Sequence, residues 1–205
     1  MPPSADARQR GRGRGLRGIA RAWVEVLVRP RRFFATVVTP GDQAPGLTFA
    51  VVVATAFTVG WILTEPAVVP HITESVPLSA LVVVAVVLVL AAPVGLHLTA
   101  AVAVVSLLVA SVERRDGIRF RERGGVSETV QIVAYASAPL GIAGPPIPEL
   151  RVVCGAYAAA LLVVGIRIVH GTTPVRTLIA GVPPALLGFG VGYRVIAAVR
   201  SVFGW

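Results

Sequence analysis

The sequence predicts an all-α, polytopic helical membrane protein with five transmembrane helices preceded by an amphipathic interfacial helix. Hydrophobic residues make up 55% of the 205 residues and charged residues only 14%, against roughly 25% charged in an ordinary soluble domain. The charges are clustered, since nine arginines precede residue 33 and five lie between residues 114 and 123. Between these clusters, uncharged stretches are long enough to cross a bilayer. A chain of this length is expected to form one domain.

The N-terminal segment is predicted to associate with the membrane surface. Residues 1–15 are rich in Gly, Pro and Arg and are expected to form a disordered basic tail near anionic lipid headgroups. Residues 16–35 are expected to contain an amphipathic interfacial helix, with a break at Pro30. Apolar side chains recur there on one helical face: Leu16, Ile19, Trp23 and Leu27. A linker helix packed on the protein explains this pattern equally well.

The first two spans follow from length and charge. Residues 46–64 are uncharged and reach roughly 29 Å as a helix, which is one bilayer core. Arginines precede this segment and are absent just after it, so the positive-inside rule places the N-terminus in the cytoplasm. The uncharged residues 76–112 favour one long tilted helix (about 78–112), kinked at Pro93, because the arginines at 113–123 then lie inside. Two crossings remain the alternative.

Three further segments complete the predicted transmembrane domain, which covers residues 46–200. The third, fourth and fifth spans are expected at about 127–147, 151–169 and 177–199, which places the C-terminus outside; four spans are the alternative. Arg151 lies near a span end, where long side chains reach the interface. Gly188 and Gly192 are spaced for close helix packing.

Two motifs carry a resemblance to a known family. The first comprises Trp23, Val26, Leu27, Pro30, Phe33 and Phe34. The second comprises Glu128, Thr129, Tyr135, Ala136 and Pro139. Together with five hydrophobic segments, of which the second is long, they resemble the Yip-domain family of Ypt-interacting integral membrane proteins over roughly residues 20–200.

The resemblance implies a five-helix fold with a cytoplasmic N-terminus and an exoplasmic C-terminus. Eukaryotic members act in vesicle traffic and contact Rab-type GTPases. The arginine-only basic residues and the short basic tail are more similar to a prokaryotic, for example archaeal, member. Prokaryotic relatives share the domain without an assigned activity, so the resemblance does not extend the trafficking role to this chain.

Polar side chains inside the hydrophobic segments are the candidate functional residues. His97 lies at membrane depth, where an ionisable residue is either functional or a neutral imidazole bonded to a helix backbone. Glu128, Gln131 and Tyr135 share a helical face, which forms either a polar path or interhelical hydrogen bonds.

Catalytic, cofactor and metal sites are not predicted. The three histidines and Cys154 lack ligand spacing, and no nucleophile motif is present. The basic residues form two clusters without a nucleic-acid-binding module, which argues against a nucleic-acid partner. An intramembrane enzyme is disfavoured because no acid, base and nucleophile converge.

Two functions fit these observations. The first is a non-enzymatic membrane-organising or scaffold protein of the cell membrane. Its partners would be the bilayer, anionic headgroups through the N-terminal arginines, and a second copy or another membrane protein. The second is a small transporter or channel component with a polar intramembrane site around His97 and Glu128–Tyr135.

Overall fold

Eight helices make up most of the part of the chain that the structure describes. The computed structural model describes residues 15–110 and 125–204. The predicted basic tail up to residue 14 and the arginine-rich loop 113–123 lie outside the described residues. The helices are α1 (Leu16–Val28), α2 (Pro30–Val37), α3 (Ala44–Thr64), α4 (Val76–Ala110), α5 (Val126–Ala136), α6 (Pro148–His170), α7 (Pro174–Gly192) and α8 (Val195–Phe203). Two 3₁₀ turns cover Pro66–Val68 and Ala138–Ile142.

Four of these helices are long and apolar enough to cross a membrane. Helices α3, α4, α6 and α7 contain 21, 35, 23 and 19 residues, respectively. No strand occurs in the two described ranges. The prediction of an all-α, multi-span membrane protein is therefore confirmed.

The third predicted span differs from the other four. It comprises the eleven-residue helix α5, a 3₁₀ turn and a loop. The segment nevertheless runs from one end of the bundle to the other, because Thr129 contacts His170 at the end of α6, whereas Gly144 contacts Trp61 near the end of α3. That this segment crosses the membrane, giving five spans, stays a prediction.

Helix α4 is continuous over its whole length but changes its winding midway. Ser75 caps its first turn by accepting a hydrogen bond from the Leu78 amide at 3.3 Å. Residues Val87–Ala91 form a π-helical segment directly before Pro93. Proline has no amide hydrogen and crowds the carbonyl four residues earlier, so a local π turn lets the helix continue. Helix α7 also contains prolines and a π-helical segment, but in the opposite order, since Pro183 and Pro184 precede the segment Ala185–Gly192.

Helix α5 forms the centre of the bundle. Every residue from Glu128 to Ala136 is buried, and α5 packs against α3, α4 and α6. It carries polar side chains on the face predicted from the sequence, so it cannot face lipid without leaving them unsatisfied. Three of the long apolar helices, α3, α4 and α6, surround it and turn their other sides outward.

A close backbone approach fixes the loop after α5 against α3. A side chain at Gly144 would collide with the Phe57 carbonyl oxygen and lie 2.9 Å from the Trp61 amide nitrogen. Both atoms are backbone atoms of a transmembrane helix and cannot move aside. Glycine is therefore required for the loop to reach the start of α6.

The change Gly144→Ala should destabilise the protein by about 1–3 kcal/mol, the usual cost of overpacking. Thermal unfolding of the detergent-solubilised chain measures the effect. Gly95→Ala is the matched control, because nothing lies within 4 Å of a methyl group there. It should be neutral or stabilise by up to about 1 kcal/mol, since alanine favours helix. Equal melting temperatures for the two variants would contradict this account.

Candidate functional site

The N-terminal helices dock onto the bundle through the apolar face of α1. Val26 is fully buried. The Trp23 ring meets Phe49 of α3 edge to face, with ring centroids 5.7 Å apart. The Tyr157 hydroxyl of α6 donates a hydrogen bond to the Leu27 carbonyl. Of the two alternatives for this segment, the structure shows a helix packed on the protein. That the opposite face of α1 also contacts lipid headgroups stays a prediction.

Tyr135 is the centre of an aromatic cluster that joins α2, α3 and α5. Its ring lies 4.9 Å from Phe33 and 5.0 Å from Phe49, measured between centroids, and Phe33 meets Phe34 at 5.8 Å. The two contacts of Phe33 are edge to face, an arrangement worth about 0.5–1.5 kcal/mol beyond burial. Tyr135 is only 3% exposed, so its ring is enclosed where these three helices meet.

The second phenylalanine of α2 fills a gap that only glycine can provide. A methyl group at Gly165 of α6 would lie 3.1 Å from the Phe34 ring and 2.7 Å from Ile132. Pro30 occupies the first position of α2, where proline favours helix initiation. The helix therefore begins at the point that brings both phenylalanines against the bundle.

Gln131 ties the segment after α2 to the central helix. Its Nε2 donates to the Thr39 carbonyl at 2.7 Å, and its Oε1 accepts from the Thr39 amide at 3.2 Å. The nearby Ser127 hydroxyl accepts from the Gly41 amide at 2.8 Å. These bonds satisfy backbone groups that have no partner within a helix, and they fix the chain as it enters α3.

Glu128 lies at the N-terminal end of α5 and is 8% exposed. Its Oε2 accepts a hydrogen bond from the Ser127 hydroxyl at 2.8 Å. The position also suits a carboxylate because helix N-termini stabilise negative charge. One residue on, the Thr129 hydroxyl lies 3.2 Å from Nε2 of His170. This end of α5 is therefore a polar cluster built for packing between helices.

Pro139 ends the α-helical part of the central segment. Continuing α5 would require an amide hydrogen at this position to bond the Tyr135 carbonyl, and proline has none. The chain instead forms the 3₁₀ turn Ala138–Ile142, and Gly141 lies under the Trp23 ring. The turn that begins around Pro139, in the second motif, thus provides the surface on which Trp23, in the first motif, packs.

The structure packs the aromatic residues of the two predicted motifs into one core but separates His97 from them. Trp23, Phe33 and Phe34 pack in the same core as Tyr135. Of the other predicted site residues, Glu128 and Gln131 lie on α5, Pro139 follows it, and Pro30 begins the helix that carries both phenylalanines. His97 is exposed on α4, and its Nδ1 lies 2.8 Å from the Pro93 carbonyl oxygen. Its imidazole thus contacts its own helix backbone and does not extend the polar face of α5.

A second cluster, not expected from the sequence, lies at the other end of the bundle. Arg151 is only 7% exposed, so its side chain is enclosed by the protein; that it also reaches the membrane interface stays a prediction. Its Nε donates to the Ala143 carbonyl at 3.1 Å and its Nη2 to the Gly144 carbonyl at 2.7 Å. The guanidinium also lies 5.1 Å from the Trp61 ring centroid. No local sequence pattern signals this cluster, because its carbonyls come from a loop and its aromatic ring from another helix.

A cavity of about 460 Å³ adjoins this second cluster. Both π-helical segments line it, together with α3, the Val68–Val69 region and residues of α5. A π-helical segment often marks a functional site. Within the described ranges, no three His, Cys, Asp or Glu side chains lie close enough to hold a metal ion.

The change Gln131→Leu should loosen the N-terminal helices. It leaves the Thr39 amide and carbonyl unsatisfied, which costs about 1–3 kcal/mol. Trypsin should then cleave after Arg31 and Arg32 about tenfold faster in detergent, because these sites become accessible when α2 detaches. His97→Leu is the control and should leave the cleavage rate unchanged. An unchanged rate in Gln131→Leu would show that this bond does not hold the segment.

Comparison with known proteins gives one match. A family model described as the Yip1 domain matches residues 24–194. No curated protein and no solved structure matches the chain.

Proposed function

The chain belongs to the Yip1 domain family, and we propose that it is a non-enzymatic protein that organises the membrane or serves as a scaffold within it. The observation that carries this proposal is the exposure of α4. Only 6% of the most apolar window of α4 is buried, against 33–39% in the other three long helices. The part of α4 from Ala92 onward packs on α5 and α7, whereas this window is exposed and offers an apolar lateral surface to a second copy or to another membrane protein.

The packing of the family motifs supports the same conclusion. The aromatic residues Trp23, Phe33 and Tyr135 hold helices together, and Gln131 satisfies backbone groups. Such contacts build a stable platform and leave none of these side chains facing an open site. A role that depends on shape and surface uses this arrangement better than catalysis does.

The proposed location is a cell membrane, with the N-terminus in the cytoplasm and the C-terminus outside. The distribution of arginines supports this orientation, because nine precede residue 33 and five lie between 114 and 123. The N-terminal arginines would then face anionic headgroups of the cytoplasmic leaflet, which attract each such residue by about 1 kcal/mol.

A photoactivatable amino acid placed on α4 tests the scaffold proposal in native membranes. Val89 and Val105 are 72% and 59% exposed on α4, and Val153 on α6 is 66% exposed. Positions 89 and 105 should give a protein adduct of one defined mass, either twice the chain or the chain plus one partner. The control position 153 should give mainly lipid adducts. Lipid adducts alone at all three positions would exclude a scaffold role for α4.

Cysteine labelling tests the orientation and the number of spans. The native Cys154 is replaced by Ala, and single cysteines are placed at Ser4, Ser75, Gly117 and Ser201. An impermeant reagent applied to intact cells should label positions 75 and 201 but not 4 and 117, because five crossings put only the first pair outside. Labelling at 117 would show that the proposed topology is wrong.

A further inference from the structure

The cavity between the two π-helical segments is apolar and opens sideways. Leu98 and Val191 line it and are 55% and 64% exposed, so it is continuous with the outer surface of the bundle. That surface is made of helices long enough to cross a membrane. The volume of the cavity, about 460 Å³, falls within the range of roughly 300–1,000 Å³ for small-molecule pockets.

The four hydroxyl groups that line the cavity already have partners within the protein: three donate to nearby backbone carbonyls, and the fourth, that of Tyr193, bonds to Ser137. The Thr58 hydroxyl donates to the Ala54 carbonyl at 2.9 Å, and the Thr99 hydroxyl donates to the Gly95 carbonyl at 2.7 Å. The Ser137 hydroxyl donates to the Ala134 carbonyl at 2.7 Å. A polar solute in the cavity would lose its hydration and gain few hydrogen bonds in return. The lining therefore suits a hydrocarbon chain.

Two arginines pack on one residue of the cavity wall. Trp61 forms part of its wall, and the guanidinium carbons of Arg151 and Arg194 lie 5.1 Å and 4.9 Å from the centroid of the Trp61 ring. The carboxylate of Glu65 accepts a hydrogen bond from Trp61 Nε1 at 2.9 Å. Two positive charges and one negative charge leave this group with a net positive charge. Among residues 15–110 and 125–204, neither arginine has a carboxylate within ion-pair distance.

The backbone at Arg194 is an independent sign of a specific role. Arg194 has a φ of 59° and is the one residue other than glycine with a positive φ in the described part of the chain. This conformation is uncommon for a residue with a side chain and is retained where the surrounding structure holds it. Arg194 lies between α7 and α8, as the residue directly before α8, and its guanidinium lies over the Trp61 ring. Arg194 is exposed, whereas Arg151 is held by two carbonyls.

We propose that the cavity binds one acyl chain of an anionic membrane lipid and that Arg194, beside Arg151, binds its phosphate. The chain enters between the π-helical segments of α4 and α7. Moving an acyl chain from the bilayer into the cavity gains little hydrophobic free energy, because the lipid tails of the bilayer are themselves apolar. Selectivity therefore comes from the arginines and favours anionic over zwitterionic headgroups. This site does not depend on whether α4 binds a protein.

Native mass spectrometry of the full chain in detergent tests the proposal with two lipids of identical chains, phosphatidylglycerol and phosphatidylcholine. The wild-type chain should bind the anionic lipid in preference. Arg194→Gln should reduce that preference about fivefold, since a membrane-proximal arginine contributes about 1 kcal/mol. Arg200→Gln is the matched control, because Arg200 is also exposed in the C-terminal region, on α8, but makes no contact with Trp61. It should retain the preference.

A second pair of variants tests the cavity itself. Ala54 lines the cavity and Ala56 on the same helix does not, although both are half-buried. Ala54→Phe should reduce the occupancy of both lipids at least tenfold, whereas Ala56→Phe should not. Melting temperatures near wild type establish that both variants fold.

Three results would overturn the proposal. They are equal binding of the two lipids by wild type, equal occupancy in Ala54→Phe and Ala56→Phe, and displacement of lipid by inorganic phosphate alone. The last result would assign the arginines to a free anion without an acyl chain. None of them bears on the adducts formed from α4, so failure here is distinguishable from failure of the scaffold proposal.

Discussion

The need to satisfy the polar groups of α5 within an apolar bundle is the constraint on which the rest of the structure depends. No water is available in a bilayer core, so each buried hydroxyl, amide and carboxyl group must find its partner within the protein. Gln131 finds it in the backbone at Thr39, and Thr129 finds it at His170. These bonds fix the segment that enters α3 and the last turn of α6 around one helix. The aromatic cluster at Tyr135 then adds α2 to the same core.

Two of the long apolar helices, α4 and α7, contain prolines and are locally irregular in their winding. Pro93 and the pair Pro183-Pro184 each lie next to a π-helical segment, and both segments border the same cavity. A regular α-helix at these positions would present evenly spaced side chains that pack closely. The wider π turns shift that spacing, and space remains between α3, α4 and α7. The cavity is thus a consequence of the way in which two helices accommodate proline without breaking.

The sequence predicted the positions of the helices more accurately than the contacts between their side chains. Uncharged length located α3 and α4, and the position of Pro93 predicted where the winding of α4 changes. The motif residues were found because Trp23 and Tyr135 recur in a known family pattern. In contrast, the burial of Arg151 could not be predicted, since the carbonyls of Ala143 and Gly144 approach it only after the loop folds back. Gly188 illustrates the same limit. Its predicted close packing is present, against Thr99, whereas Gly192 has no such neighbour; spacing alone does not distinguish the two.

The arginines of α1 and the two arginines at Trp61 differ in their surroundings, and this difference determines how each group can bind an anion. Arg21 pairs with Glu25 at 3.0 Å on the exposed face of α1 and is 80% exposed, where solvent and salt weaken an ion pair. Arg151 and Arg194 instead share the Trp61 ring. Arg151 is only 7% exposed, so solvent weakens its attraction to the ring and to an anion less, whereas Arg194 is exposed and accessible to an anion. The N-terminal arginines therefore suit loose association with a charged surface, whereas the pair at Trp61 suits one bound anion.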